Sequence, residues 1–347
     1  MKYLQLNIIA IIFVLSVMNN ALIAQAIKGK PLCIAFYNLE NLYDTIDDPL
    51  TDDTEFTPSG PSKWDSKRYH EKLSHLAKVI SQIGDEGVKD GPVIIGLAEV
   101  ENKQVVEDLI KTTPLDKTGY RIVHYDSPDK RGIDVAFLYQ PKIFKYKESK
   151  TFPLKIPGKD DFFTRDILEV SGTIKGQPVF ILVNHWPSRS KGQKETAPLR
   201  DAAADLCLSI VQDIRKSHPD AGIIIMGDLN DDPVDESVMN HLRVKTSSDS
   251  LSPGDLYDPM WKLFKDGKGT LEYKGIWNLF DQIIISSALM ADFSHGYYFY
   301  KADVFKRDWL VENGGKYDGY PFRSYAGTNY LGGYSDHLPV YIYLDRK

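Results

Sequence analysis

An α/β fold is the class this sequence predicts, and three observations predict it. Short apolar runs without polar alternation recur at residues 32–37, 93–98, 179–183 and 223–226, as strands covered on both faces do. Between them lie stretches with apolar residues three and four apart, the pattern of amphipathic helices. The apolar runs also end in polar residues: Asn38, Glu99, Asn184 with His185, and Asp228 with Asn230. Strand ends carrying short polar loops are where α/β proteins assemble their sites.

Taken in order, residues 32–37 give a first strand, with Asn38-Leu39-Glu40-Asn41-Leu42 as the loop after it. Residues 44–63 are rich in Asp, Thr, Pro and Ser without periodicity, which predicts a surface loop. Trp64 introduces a helix with Leu73, Leu76, Ala77, Ile80 and Ile83 on one face, and Gly84 and Gly87 can stop it. Residues 93–98 form a strand ending at Glu99, and a helix is expected from near Asn102. Residues 120–125 and 133–139 read as strands joined by a polar turn, and residues 144–152 and 164–174 as two more. The strand over 179–183 leads into Asn184-His185-Trp186-Pro187-Ser188-Arg189, then a loop over 190–197 and a helix over 198–214. Ile223 to Met226 make the next strand, Gly227 ends it, and Asp228, Asn230 and Asp231 lie on the loop beyond. By itself that Asp/Asn cluster is also what a plain turn looks like. Residues 234–280 read as loop, Asp281 precedes a strand over 282–286, and aromatics and glycines crowd 295–333. Tyr334-Ser335-Asp336-His337-Leu338-Pro339 then enters a last strand over 340–344. With no repeat, low-complexity tract or linker-like composition, a single domain over residues 27–347 is expected.

A hydrophobic content of 42% is ample for a core. Residues 1–26 read as a secretory signal peptide: Lys2 gives a positive start, residues 6–18 are nearly all apolar, and Ala21, Ala24 and Ala26 offer a cleavage site. That apolar run is shorter than the ~20 residues of a membrane span. No later segment is more apolar, so an exported protein, periplasmic or extracellular, is expected. The formal net charge is -6; losing a leader whose one charge is Lys2 leaves -7 (-6 minus 1). This mild acidity argues against a strongly basic stripe for nucleic acid, although a local basic cleft would suffice. Cys33 and Cys207 lie in apolar segments, which points to free buried thiols. Nothing implies a stable protein partner, and a monomer is expected.

The strand-end polar residues, collected, are Asn38, Glu99, Asn184, His185, Asp228, Asn230, Asp281, Asp336 and His337. No Cys/His spacing of the zinc type occurs among them. Oxygen ligands with two histidines suit a hard divalent ion, Mg²⁺ or Mn²⁺, better than zinc. Such an ion with an acid–base pair suits attack of water on a phosphoryl centre.

The stretches Tyr37-Asn38-Leu39-Glu40-Asn41, Leu97-Ala98-Glu99-Val100, Asn184-His185-Trp186-Pro187, Gly227-Asp228-Leu229-Asn230, Asp281-Gln282-Ile283 and Ser335-Asp336-His337-Leu338-Pro339 resemble, in this order, the endonuclease/exonuclease/phosphatase superfamily. The motifs run from residue 37 to residue 339. The pairing of GDLN with SDHLP is specific, whereas either alone is weak. The resemblance implies a four-layer α/β sandwich, two packed mixed β-sheets flanked by helices, with Mg²⁺-dependent hydrolysis of phosphate esters. It implies that Asn38, Glu99 and Asp336 hold the metal. Asp228 and Asn230 position or activate water and hold the scissile phosphate, His337 acts as general base or transition-state stabiliser, and Asp281 orients it. His185 corresponds to a second histidine that binds phosphate or protonates the leaving oxygen. Two departures stand out: Ala98 replaces the Gln that often precedes the metal-binding Glu, and the carboxylate partner of His185 has no clear match, with Asp134 as the candidate.

Asn184, Arg189 and Arg323 are the expected substrate contacts. Arg189, Lys191 and Arg200 read either as phosphate contacts or as solvated surface charge. The cluster of Tyr297, Tyr298, Tyr300, Tyr320, Phe322, Tyr325 and Tyr330 reads either as a stacking surface for a base or as packing of a loop-rich edge. His124 and His295 have no motif around them and receive no role. The leading reading is an exported Mg²⁺-dependent phosphodiesterase, a nuclease acting on DNA or RNA. The runner-up is a phosphatase or phospholipase-type phosphodiesterase on a small phosphorylated molecule or lipid headgroup. A non-catalytic module that kept the fold would have lost a core residue, and none is lost.

Overall fold

In the computed structural model, which describes residues 31–84, 91–291, 293–294 and 296–346, the apolar runs become the middles of two mixed sheets. The expected leader over residues 1–26, Gly87 and His295 lie outside the described residues. The first sheet has the order β14 (Tyr297–Val304), β17 (Val340–Arg346), β1 (Leu32–Leu42), β2 (Ile94–Val100), β4 (Asp134–Tyr139), β3 (Arg121–His124). The second runs β5 (Phe144–Phe152), β6 (Ile167–Ile174), β7 (Gln177–His185), β8 (Gly222–Asp228), β13 (Asp281–Ser286), β10 (Leu256–Tyr257), β9 (Val244–Lys245). Two hairpins complete the strands, β11 (Leu271–Tyr273) with β12 (Ile276–Asn278) and β15 (Tyr325–Ala326) with β16 (Asn329–Tyr330).

Three hydrophobic clusters show the layering. Ile34, Phe36, Ile94 and Phe137 from the first sheet meet Ile181, Val183, Ile224 and Met226 from the second, so one core lies between the sheets. The opposite face of the first sheet, with Ala35, Tyr37, Ile95 and Leu97, is covered by α1 (Ser66–Gln82) and α2 (Lys103–Lys111). The far face of the second sheet is covered by α3 (Gln193–Ser217) through Ala203, Cys207, Ile210 and Ile214. This is the four-layer sandwich, and it explains the unalternated strands: every central strand is buried on both faces. Cys33 and Cys207 fall in different clusters and are free.

Local chemistry sets the helix ends. Asp65 caps α1 by accepting from Arg68 N, and Asn102 caps α2 by accepting from Val105 N. Past α1, Gly84 takes φ +100°, and a Cβ there would meet Cys33 Sγ at 2.7 Å. A short fourth helix, α4, spans Met260–Lys265. Among the described residues, no helix is long and apolar enough to cross a membrane.

Several boundaries differ from the sequence expectation. Helix α3 starts at Gln193, so Pro198 sits inside it; buried Arg200 bonds Gln193 O and Thr196 Oγ1 and so fastens that first stretch. Strand β1 runs on through the expected loop 38–42 with a register shift between Asn38 and Leu42. Gly227 lies within β8 because a Cβ there would sit 2.4 Å from Asn184 O on neighbouring β7. The aromatic stretch after residue 296 contains β14, a full edge strand paired to β17.

Each sheet holds one central parallel pair, β1 with β2 and β7 with β8. Their carboxyl ends carry Asn38, Glu99, His185 and Asp228. Antiparallel β13 begins at the same end, with Asp281 in register opposite Asp228, and β17 begins there just after Asp336 and His337. The topology therefore brings six separate stretches of chain to one end of the sandwich.

Candidate active site

Asp281 is fully buried at the start of β13, and its Oδ2 accepts a 2.7 Å hydrogen bond from His337 Nδ1. This pairing turns His337 Nε2 toward Asp228 Oδ2, 3.9 Å away, and Asp336 Oδ1, 4.0 Å away. Asp228 is held in turn: its Oδ2 accepts from Asn38 Nδ2 at 3.0 Å and its Oδ1 from Asn230 N at 2.9 Å. His185 Nε2 faces Asp228 Oδ2 at 3.7 Å and Glu99 Oε1 at 3.9 Å. Asn230 Nδ2 donates to Trp186 O at 2.9 Å within the tips of the second sheet, and Ser335 Oγ donates to Asn38 O at 2.8 Å within those of the first.

The two histidines sit in opposite electrostatic settings. Burial lowers the pKa of His337, but the surrounding carboxylates, Asp281 first, more than offset it and hold the ring well above its ordinary range. Burial also lowers His185, and there Arg165, Arg131 and His337 add to the effect, so this ring stays neutral. Its Nε2 faces two carboxylates, so the neutral ring carries its proton on Nε2, and buried Nδ1 is left without a hydrogen-bond partner. Burial raises the Asp228 carboxyl, the His337 cation opposes this, and Asp281 adds to it. The result is a cationic imidazole beside a carboxylate whose proton affinity is raised, the pairing general acid–base chemistry uses.

The donor set fits a hard divalent ion. Glu99 uses Oε2 to accept from Asn41 N at 2.9 Å, while among the described residues Oε1 meets only the 3.9 Å approach of His185. Asp336, one third exposed, has the 4.0 Å approach of His337 as its nearest ion pair among the described residues. Both carboxylates thus keep lone pairs open to the site, and Asn38 adds an amide oxygen that also accepts from Glu40 N. Glu99 and Asp336 approach the site through different histidines. Among the described residues, Asp228, Asp281 and His337 also stand at metal-binding spacing here.

Other sequence expectations need correction. Asn184 is fully buried and spends its amide on Leu182 O, Met226 O and Trp186 Nε1, so it braces the strand tips. Arg189 is consumed by the neighbouring loop after β8: Nε donates to Asn230 O, Nη2 to Asp231 and Asp235, and the guanidinium lies over the Phe280 ring. Arg200, far from solvated, is wholly buried with Nε 2.7 Å from Asp231 Oδ1, a close electrostatic contact rather than a well-aimed hydrogen bond. Lys191 and Lys194 are exposed. Asp134 pairs with His124 at 3.0 Å, and therefore is not the partner of His185. Arg323 is half-buried; among the described residues it makes no ion pair, and it acts electrostatically on Glu40.

Two buried cations behind the site, Arg165 and Lys72, were not expected from the sequence. Arg165, buried, donates to Trp186 O at 2.6 Å and to Asp129 at 3.0 Å, and exposed Arg131 flanks the same Asp129. A lone Arg before an apolar strand gives no local signal. Lys72 does: at helical spacing from Tyr69 and Leu76 it lies on the apolar face of α1, and a charge there demands a buried partner. That partner is Glu40, 3.8 Å away, with Ser324 Oγ at 2.6 Å. A larger cleft of about 830 Å³, lined by Lys175, Gln177, Asp220 and Arg346 among others, lies at the opposite strand ends and holds none of these groups.

A two-sheet sandwich with this Asp–His–Asp line at its strand tips defines a class, the divalent-metal-dependent hydrolases of phosphate esters. Residues 33–346 match the Endonuclease/Exonuclease/phosphatase family, and the chain belongs to it. No match is found among curated protein sequences. Solved structures of similar fold include Danio rerio TDP2 complexed with a single-strand DNA product, at 17% identity, 91% of this chain, 99% of that one and a TM-score of 0.54. The human Nocturnin catalytic domain with bound sulfate is similar at 17% identity, 92% of this chain, 97% of that one and a TM-score of 0.55. A mannosyl-6-phosphatase of Bacteroides thetaiotaomicron gives 17% identity, 90% and 99% coverage and a TM-score of 0.54.

Proposed function

We propose that the protein is an exported Mg²⁺-dependent phosphodiesterase that hydrolyses nucleic acid. The observation that carries the chemistry is the line Asp281–His337–Asp228, in which a carboxylate-held imidazolium stands 3.9 Å from a second carboxylate. Asp228 takes the proton of the attacking water, fixed by Asn38 and Asn230 so that its free lone pairs face the site. His337, held cationic by Asp281, stabilises the charge that develops on the phosphoryl oxygens. His185, neutral with its proton on Nε2, donates a hydrogen bond to a phosphoryl or leaving oxygen without giving up that proton, and the leaving oxygen takes its proton from solvent. Glu99, Asp336 and Asn38 would hold the Mg²⁺ ion, which when bound neutralises phosphoryl charge as a Lewis acid. The D. rerio TDP2 structure, which holds a single-strand DNA product on this fold, supports a nucleic-acid substrate. Export rests on the signal-like residues 1–26, and an intact Met1 in protein from the native envelope or medium would overturn it.

A second reading has a specific observation behind it. Arg189 and Arg200, the cations expected to grip a phosphate backbone, are engaged internally, which favours a small phosphoester of the kind named for the Bacteroides phosphatase. Purified mature protein with Mg²⁺, and with chelator as control, on DNA, RNA, a model diester and sugar monophosphates separates the two. Cleavage of DNA or RNA that falls steeply with salt supports the first reading. Phosphate release from small monoesters with nucleic acids left intact replaces it with the second.

A further inference from the structure

Beside the catalytic tips lies a cleft of about 680 Å³ that the chemistry above does not use. One wall is the hairpin β11–β12, which carries Tyr273 and Lys274. The other is the segment from Glu312 to Leu331, with Lys316, Tyr317, Tyr320 and Arg323. Gly275 N donates to the Tyr320 hydroxyl at 3.1 Å, which ties the walls together. Both walls lead straight into the active site. The hairpin runs into Asp281, and its base is fastened beside His337 by Leu338 N donating to Thr270 O. The other wall continues into Asp336 and His337, and Ser324 N donates to Glu40 on β1. Three strand residues from hairpin base to tip put the cleft about 10 Å from the catalytic group.

The lining has two properties. Its rings are presented to solvent: Tyr273 is 64% exposed and Tyr317 46%, unusual for large side chains with no core to fill. Its charge has a cationic excess, three basic residues against two acidic ones. Lys274, Lys316 and Arg323 make no ion pair among the described residues; Lys274 Nζ lies 5.0 Å from the Tyr273 ring centroid and Lys316 Nζ 5.2 Å from that of Tyr317, contacts that a stacking base exchanges for its own phosphates, whereas Glu272 is buried against the Tyr320 hydroxyl, leaving Glu312 as the accessible acid. Exposed rings beside cations that no carboxylate pairs fit flat bases joined by phosphates. A sugar monophosphate, whose single phosphate is held at the catalytic tips, has no second anion for cations about 10 Å away. We infer that this cleft is a subsite for single-stranded nucleic acid, in which Tyr273 and Tyr317 stack on bases flanking the scissile phosphate while Lys274, Lys316 and Arg323 hold neighbouring phosphates. The inference rests on the nucleic-acid reading above and adds to it a preference for an unpaired strand.

The test uses the mature chain and fluorescein-labelled thymidine oligonucleotides of two and eight residues, with anisotropy read in chelator so that nothing is cleaved. The octamer binds at least about tenfold more tightly than the dimer. Tyr273→Ala and Tyr317→Ala each weaken octamer binding by about five- to a hundredfold, while Tyr273→Phe and Tyr317→Phe retain it because the ring is kept. Lys274→Ala and Lys316→Ala each flatten the logarithmic salt dependence by about 0.7. If wild-type protein cleaves oligonucleotides but the alanine variants bind the octamer as it does, the subsite is wrong and the nuclease reading stands. If the phenylalanine variants lose as much as the alanine ones, stacking is wrong. Wild-type protein that neither binds nor cleaves either oligonucleotide overturns both.

Discussion

Replacing Arg200 with Met separates a structural cation from a substrate-binding one. Arg200 is wholly buried in the first turns of α3, with Nε 2.7 Å from Asp231 Oδ1 and the other nitrogens on Thr196 Oγ1, Gln193 O and Pro187 O. Removing one partner of a buried ion pair costs about 3–5 kcal/mol, because the other charge stays desolvated. Asp231 here keeps Arg189 Nη2 at 2.9 Å and Ser237 Oγ at 2.7 Å, so the loss falls at the low end, about 3 kcal/mol. At roughly 2 °C per kcal/mol for a large domain, Tm should drop by about 6 °C. Thermal melting of wild type and Arg200→Met measures this, and steady-state kinetics on an oligonucleotide at several salt concentrations measures the alternative. An unchanged Tm with a raised KM and a flatter salt dependence would refute the structural assignment and restore Arg200 as a phosphate contact.

Other substitutions test the chemistry and the linkage. Glu99→Gln keeps the fold and lowers Mg²⁺-activated turnover at least about 100-fold; full activity in this variant, or undiminished wild-type activity in excess chelator, removes Glu99 from the metal site. Asp228→Asn and His337→Ala each lower kcat by about 10² to 10⁴. Together they cost less than the product of the two, since groups that act as one unit are non-additive; a full product shows independent roles. Asp258, fully buried with Oδ1 on Met260 N and Oδ2 unpartnered, has its pKa pushed up to about 7 by burial. Its folded value lies above the unfolded ~3.9, so the folded state binds the extra proton and stability falls as pH rises from about 4 to 7. Asp258→Asn removes that titration. Between pH 4 and pH 8 the stability difference should therefore move by about 4 kcal/mol in favour of the variant. Urea melts at the two pH values check it, and a difference independent of pH shows that Asp258 ionises freely.

How much was legible depended on whether a residue's role is written in its neighbours. Asn38, Glu99, His185, Asp228 and Asp281 stand at the ends of apolar runs, and the period of those runs was enough to place them at strand tips. Arg189 and Arg200 looked like free cations because charge along a sequence carries no information about depth; the acids that neutralise them, Asp231 and Asp235, lie some thirty or forty positions away. Strand β14 was hidden for a related reason. It is an edge strand with its outer residues exposed, so Tyr298, Tyr300 and Lys301 break the apolar run that made its neighbours visible. The aromatic cluster divided: Tyr297 is core, Phe322, Tyr325 and Tyr330 pack against core, and Tyr320 lines the open cleft.

The misplaced end of β1 has a further physical meaning. Of the eight non-glycine residues with left-handed backbone among the described residues, four are Glu40, Asn41, Glu99 and Asn230, all at the catalytic end. Asn adopts that region with little penalty, but Glu has no local reason to, and each such residue costs on the order of 1–3 kcal/mol. The register of β1 against β2 shifts at this place, and β2 shifts against β4 between Ala98 and Val100. A regular strand alternates its side chains between the two faces, which already turns Asn38, two residues after Phe36, toward the second sheet but would commit Glu99, two residues after Leu97, to the helix-covered face. The bulge at Glu99, where φ is +60°, turns that side chain toward the sheet end, where the second sheet delivers His185 and Asp228. The backbone thus departs from regular structure where the side chains must leave the core, and a reading built on regular periods ends its strand at the same residue.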